Sequence, residues 1–356
     1  MERSVVMLAG VVVALVAVAL FASTVGAVPI GFGHVIAIAW SVFGAPLPAD
    51  VSAQDATVLL SIRMPRIGLG MAAGAGLSAA GAVLQAIFRN PLADPMLIGV
   101  SSGAALAVTA VIVIGDVFVG SSMGSTIGDL PQMLGPFALP LAGFGGGLAA
   151  TWLLYRVATR DGGTSLSTML LAGIAINALA FAGIGFMTTV ASNEQLRNIT
   201  FWSFGSVGGA RWQTVGVVAI AVFATTALLT RMAPALNAMA LGELEARHLG
   251  FATERVKSLV IGLAALASGF VVAVCGVIGF VALVAPHIAR SLFGADNRVV
   301  IPASALIGAL LLVLADLFGR MVAAPAELPI GIVTALIGAP FFLWLLMRRR
   351  GSDTVA

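Results

Sequence analysis

"VKSLVIGLAALASGFVVAVCGVIGFVALVAPHIARSL", from Val256 to Leu292, is a single apolar run whose charged residues, Lys257 and Arg290, lie near its two ends. A bilayer-crossing helix needs only about 20 apolar residues, so the run is too long for one span and long enough for two. Gly276 and Gly279 supply the break, because glycine weakens a helix interior and accepts backbone angles that other residues resist. The reading matters because it fixes parity. Two helices here make ten in the chain and leave Arg348, Arg349 and Arg350 on the same side as the N-terminus, whereas one helix puts them on the opposite side.

Composition requires a membrane protein. Hydrophobic residues make up 60% and charged residues 9% of 356 residues, against about 25% charged in soluble domains. The chain reads as an all-α integral membrane protein, one transmembrane domain over residues 1–356 with no large soluble part. Spans are expected near residues 5–28, 67–88, 97–114, 137–157, 166–188, 215–232, 256–273, 277–292, 299–322 and 328–347. The first hydrophobic run, ending near Gly26, exceeds the 7 to 15 apolar residues usual for a signal peptide and reads as helix one. With both termini cytoplasmic, thirteen of the eighteen Arg and Lys residues fall inside; Arg63, Arg66, Arg197, Arg211 and Arg320 fall outside. That asymmetry obeys the positive-inside rule. The net charge of +3 is scattered over loops, so no basic face for nucleic acid is formed. The single cysteine, Cys275, excludes an intrachain disulfide.

On the inner side, "FRNPLADPMLIGVSSGAA" from Phe88 to Ala105 joins helices two and three, with Pro91 and Pro95 stopping one and starting the next. Its density of polar residues exceeds what a plain turn needs. The longest inner polar segment is 233–257. Within it "LGELEARHLG" (Leu241, Gly242, Glu243, Leu244, Glu245, Ala246, Arg247, His248, Leu249, Gly250) reads as a short amphipathic helix: Leu241, Leu244 and Leu249 pack inward or into a groove, and Glu243, Glu245, Arg247 and His248 face outward. A P-loop would need glycines at positions 251 and 256 before Lys257 and Ser258, where Phe251 and Val256 stand.

These motifs, with "RMPR" at 63–66, "GVIGFVALVAPHIAR" at 276–290, "LADLFGR" at 314–320 and "ELPIGIVTALIGAPFFLWLL" at 327–346, resemble the FecCD-type permease subunits of bacterial type II ABC importers for ferric siderophores, haem and cobalamin. The resemblance spans nearly the whole chain. It implies ten helices in two inverted halves (two to five and seven to ten) and a homodimer in the bacterial inner membrane, with two ATPase subunits below and a periplasmic binding protein above. The permease itself would not be an enzyme and would hold no cofactor or metal; ATP and Mg would belong to the ATPase. Leu241, Gly242, Glu243, Glu245, Ala246, Arg247, Leu249 and Gly250 would then couple to the ATPase, with the 89–95 turn as a brace. Arg63, Arg66 and Arg320 would receive glutamates of the binding protein; snorkelling at helix ends, or a pair between Asp316 and Arg320, is the alternative.

"EQLRNITFWSFGSVGGARW", from Glu194 to Trp212, is similar to the matching stretch of haem permeases. Arg197 and Arg211 would meet haem propionates at the pathway mouth, and Phe201 and Trp202 would face the macrocycle; interfacial anchoring is the alternative. His34, His248 and His287 fall outside, inside and in the inner half of the membrane, with no evident haem-ligand pair. A ferric siderophore or cobalamin remains the alternative cargo. An ion-coupled secondary transporter would need ionisable residues at mid-membrane, and Asp316 and Glu327 lie toward helix ends. An intramembrane metalloprotease would need an HExxH motif, which is absent.

Overall fold

The computed structural model describes residues 2–48, 50–120, 137–160, 163–323 and 326–353. Among the described residues fifteen α-helices run in chain order: α1 (Glu2–Thr24), α2 (Phe32–Ser41), α3 (Ala53–Thr57), α4 (Met64–Ile87), α5 (Val100–Gly120), α6 (Ala138–Ala158), α7 (Leu166–Val190), α8 (Asn193–Ser203), α9 (Trp212–Arg231), α10 (Ala233–Leu241), α11 (Glu243–His248), α12 (Thr253–Cys275), α13 (Val281–Phe293), α14 (Asn297–Val322) and α15 (Ile330–Asp353). Ten of them match the expected spans: α1, α4 to α7, α9 and α12 to α15. A small antiparallel hairpin, Thr159–Arg160 with Gly163–Thr164, joins α6 to α7.

Two spans differ from expectation. The second does not begin after Arg63 and Arg66, because α3, a π-helical turn (Val58–Arg63) and α4 form one helical stretch, Ala53–Ile87. The wide turn directly precedes Pro65, which has no N–H to give the carbonyl four residues back. The eighth span is shorter than 277–292. Residues 276–280 leave the helix, with positive φ at Gly276 and Phe280, and α13 starts only at Val281. The Ser78 hydroxyl of α4 donates to the Val281 carbonyl at 3.3 Å. Ser78 sits about 18 Å of helix rise below Arg66, so α13 begins near the middle of the membrane and is a half-length helix.

The centre of the bundle is α4, buried along almost its whole length and packed by α9, α12, α13 and α14. Small residues allow this. A side chain on Gly74 would collide with the Gly308 backbone of α14, and one on Gly81 with the Ala282 carbonyl of α13. In lipid no water-driven force pulls helices together, and close backbone approach at small residues takes over that role.

The sets α4 to α7 and α12 to α15 form the inverted halves. Each has a broken connection after its first helix: the 3-10 turn Pro95–Ile98 in one, residues 276–280 in the other. Cross-links between connecting segments agree with the expected sidedness. Arg89 bonds the Met239 carbonyl, and Asn237 bonds Asp296, all at the inner face. Arg66 bonds Glu327, and the Trp212 indole bonds the Leu60 carbonyl, all at the outer face.

Candidate functional site

The inner segment is two helices, not one. Gly242, with φ of 156°, separates α10 from α11, and Gly250, with φ of 90°, ends α11. The face that α11 turns inward is Ala246, which is fully buried. The three leucines do not pack inward: Leu241, Leu244 and Leu249 are 73%, 67% and 62% exposed. Nor does Glu243 face outward as expected. Its carboxylate accepts from Lys257 Nζ at 2.8 Å and from Arg247 at 3.1 Å. Glu245, Arg247 and His248 are exposed.

Lys257, the only lysine in the chain, is 3% exposed and so must be paired. It donates to Glu243, to Glu254 at 2.9 Å and to the Thr164 carbonyl of the hairpin at 3.2 Å. Arg247 adds a bond to Thr253 Oγ1 at 3.0 Å. One cluster thus joins α11, the start of α12 and the 159–164 hairpin. Sequence reading missed it; the Glu254–Lys257 spacing of i,i+3 and the Glu243–Arg247 spacing of i,i+4 were its visible signs.

From the 89–95 turn the Arg89 guanidinium bonds the Met239 carbonyl of α10. In the same turn Asp94 accepts from the Met96 N–H at 2.8 Å, and burial pushes its carboxyl up to about 6. On the neighbouring connection the Arg298 N–H, then the Asn237 amide, hold the Asp296 carboxyl below its ordinary value.

At the outer face the three arginines are turned into the protein. Arg63 donates to the Ser23 carbonyl at 2.7 Å and to the Val28 carbonyl. Arg66 bonds Asp316 at 2.8 Å and Glu327 at 2.7 Å. Arg320 bonds the other Asp316 oxygen at 3.0 Å, the Ala22 carbonyl of α1 and the Val25 carbonyl just beyond its end. Asp316, 5% exposed, therefore bridges two guanidiniums, while Glu327 is 63% exposed. The helix end of α1, the start of α4 and the end of α14 are fastened together here.

The outer connection between α7 and α9 contains a helix, α8, that the sequence reading did not assign. Ser192 caps α8 by accepting from the Gln195 N–H, and the Gln195 side chain accepts from the Ser192 N–H in return. Arg197 and Phe201, one turn apart, share an exposed face, with Ile199 on the buried side. Trp202 is half-buried, and Arg211 is exposed. Below α8 lies a cavity of about 190 Å³ whose polar lining is Ser101, Ser102, Asn177 and Ser203. It is smaller than the ~300 Å³ lower end of small-molecule sites.

The profile of the FecCD transport family matches residues 7–348. The chain is 41% identical to the hemin transport system permease protein HmuU of Yersinia pestis over 85% of its length and 87% of that protein. It is 40% identical to the cobalamin import system permease protein BtuC of Halobacterium salinarum over 86% of its length and 78% of that protein. A solved structure described as an inward-facing conformation of a metal-chelate type ABC transporter superposes with a TM-score of 0.80 at 29% identity, covering 96% of this chain and 99% of that one.

Proposed function

The chain belongs to the FecCD transport family, and from that premise we propose that it is the permease of a bacterial inner-membrane ABC importer, working as a homodimer and carrying haem into the cytoplasm. A separate ATPase binds and hydrolyses Mg-ATP, and a periplasmic protein delivers the cargo. The observation that carries the ATPase partnership is the trio of exposed leucines on α10 and α11. Apolar side chains on a rigid, charge-clamped cytoplasmic projection have no use in water and fit a hydrophobic cleft on another protein. Glu245 and Arg247 rim that contact.

Haem is favoured by the exposed pair Arg197 and Phe201 on α8 and by exposed Arg211. A guanidinium binds a propionate through two parallel bonds, and an aromatic ring covers a flat macrocycle. Arg63, Arg66 and Arg320 act in this reading as the frame under the binding-protein platform, and only through that frame on docking. An ion-coupled carrier is disfavoured because the Asp316 carboxylate is already taken up by two guanidiniums.

The test is reconstitution of the permease with its ATPase and binding protein, comparing uptake of haem, a ferric siderophore and cobalamin. ATP-dependent haem uptake, slowed by Arg197→Ala without a matching loss of binding-protein affinity, is the expected result. Robust uptake of another cargo with none of haem overturns the haem assignment. Uptake by the permease alone under a proton or sodium gradient overturns the importer assignment.

A further inference from the structure

The helix α12 has a distinct fixture at each end. At the inner face Lys257 holds the Glu243 carboxylate of α11, the Glu254 carboxylate of α12 and the Thr164 carbonyl together, all within 3.2 Å. At the outer face, about 27 Å away by helix rise, the Cys275 carbonyl that closes α12 accepts from the Ser206 N–H at 2.7 Å. A side chain on Gly276 would strike the Trp202 carbonyl at the end of α8, and one on Gly205 would press on the Val277 carbonyl. The same 204–205 corner receives the first N–H groups of α15, from Ile330 and Gly331, at 3.0 Å. The end of α8 is therefore seated against the outer end of α12.

We propose that Lys257 is the positioning residue that makes α11 and α12 move as one, so that displacement of α11 by the ATPase travels along α12 and shifts α8 at the outer mouth. The inference rests on the importer reading above. A helix transmits axial displacement well because its backbone bonds run along its axis. The weak point is the junction between α11 and α12, where the four residues Leu249, Gly250, Phe251 and Ala252 intervene. There the ionic clamp replaces covalent stiffness. A lysine at this depth without carboxylate partners would be costly, so the clamp stays closed while Glu243 remains to tie α11 to Lys257.

In proteoliposomes holding permease, ATPase and binding protein, ATP hydrolysis and haem uptake are measured in the same sample. Lys257→Met is expected to lower uptake per ATP hydrolysed by about tenfold, within the range of site-to-site coupling effects, while Lys257→Arg keeps it near wild type. Glu243→Gln, at a partly exposed position, is expected to lower the same ratio and serves if Lys257→Met does not fold. Spin labels at Thr200 of both copies should show an ATP-dependent distance change that shrinks in these variants. An unchanged ratio and an unchanged α8 displacement in the folded variants overturn the inference alone. A wild-type complex that takes up none of the three cargoes overturns the importer reading, and the inference with it.

Discussion

Replacing Asp316 by Asn leaves the shape of the outer fastening intact and removes its charge. In the structure each carboxylate oxygen of Asp316 serves one guanidinium, Arg66 at 2.8 Å and Arg320 at 3.0 Å, and all three side chains are nearly sequestered from water. Two charge-assisted hydrogen bonds are weakened at about 1.5–3 kcal/mol each. The two cations are left facing each other with only Glu327, which is largely exposed and holds Arg66 alone. Breaking a buried pair by removing one partner costs about 3–5 kcal/mol, and the same order is expected here. Glu327→Gln is the control: its exposed carboxylate should be worth about 0–1 kcal/mol. Thermal unfolding in nanodiscs reads both, with a midpoint drop on the order of 10 °C for Asp316→Asn and little for Glu327→Gln. A double change, Arg66→Met with Asp316→Leu, should recover part of the loss, since an apolar pair no longer buries an unmatched charge in that half of the cluster. If Asp316→Asn and Glu327→Gln unfold at the same midpoint, the network is a surface feature and the argument fails.

The central crossing gives a steric counterpart: Gly74→Val puts a side chain into the Gly308 backbone and should destabilise the bundle by about 1–3 kcal/mol or more, read as a lower unfolding midpoint. Leu244→Glu combined with Leu249→Glu should abolish co-purification of the ATPase while leaving that midpoint unchanged, because both side chains face solvent. Asp94 predicts a pH effect. Its folded value is raised from 3.8 to about 6, so the folded state holds the extra proton, and the stability this confers is present below 3.8 and lost as pH rises through about 6. Asp94→Asn should flatten that slope between pH 4 and 6, and equal slopes in wild type and variant would count against the assignment.

Composition and charge were enough for ten spans and their sidedness, because lipid leaves the backbone no choice but helix and the arginines mark the inner face. The break at Gly276 was legible for the same reason: the run was too long. The depth of that break was not, since it depends on Ser78 of a distant helix meeting Val281. The same limit explains the arginines. That Arg66 joins Asp316 and Arg320 is not visible in the sequence, since the placement is made by the close α4–α14 crossing at Gly74 and Gly308. Glu243 and Lys257 follow suit, being fourteen residues apart on two helices that fold back on each other.

The leucines of α10 and α11 run the other way. An amphipathic pattern states that apolar and charged residues occupy different faces, but not which face meets the protein. Ala246, the smallest apolar residue of the motif, decided it: a short side chain lets α11 lie close to its neighbours, and its burial turns Leu244 and Leu249 outward. With Glu243 drawn inward by Lys257, the charges stabilise the projection and the leucines are left for the partner. Such a division suits a part that must grip a second protein while staying rigid relative to its own helices. Adhesion and stiffness are then supplied by different side chains, so each can be removed by mutation without the other.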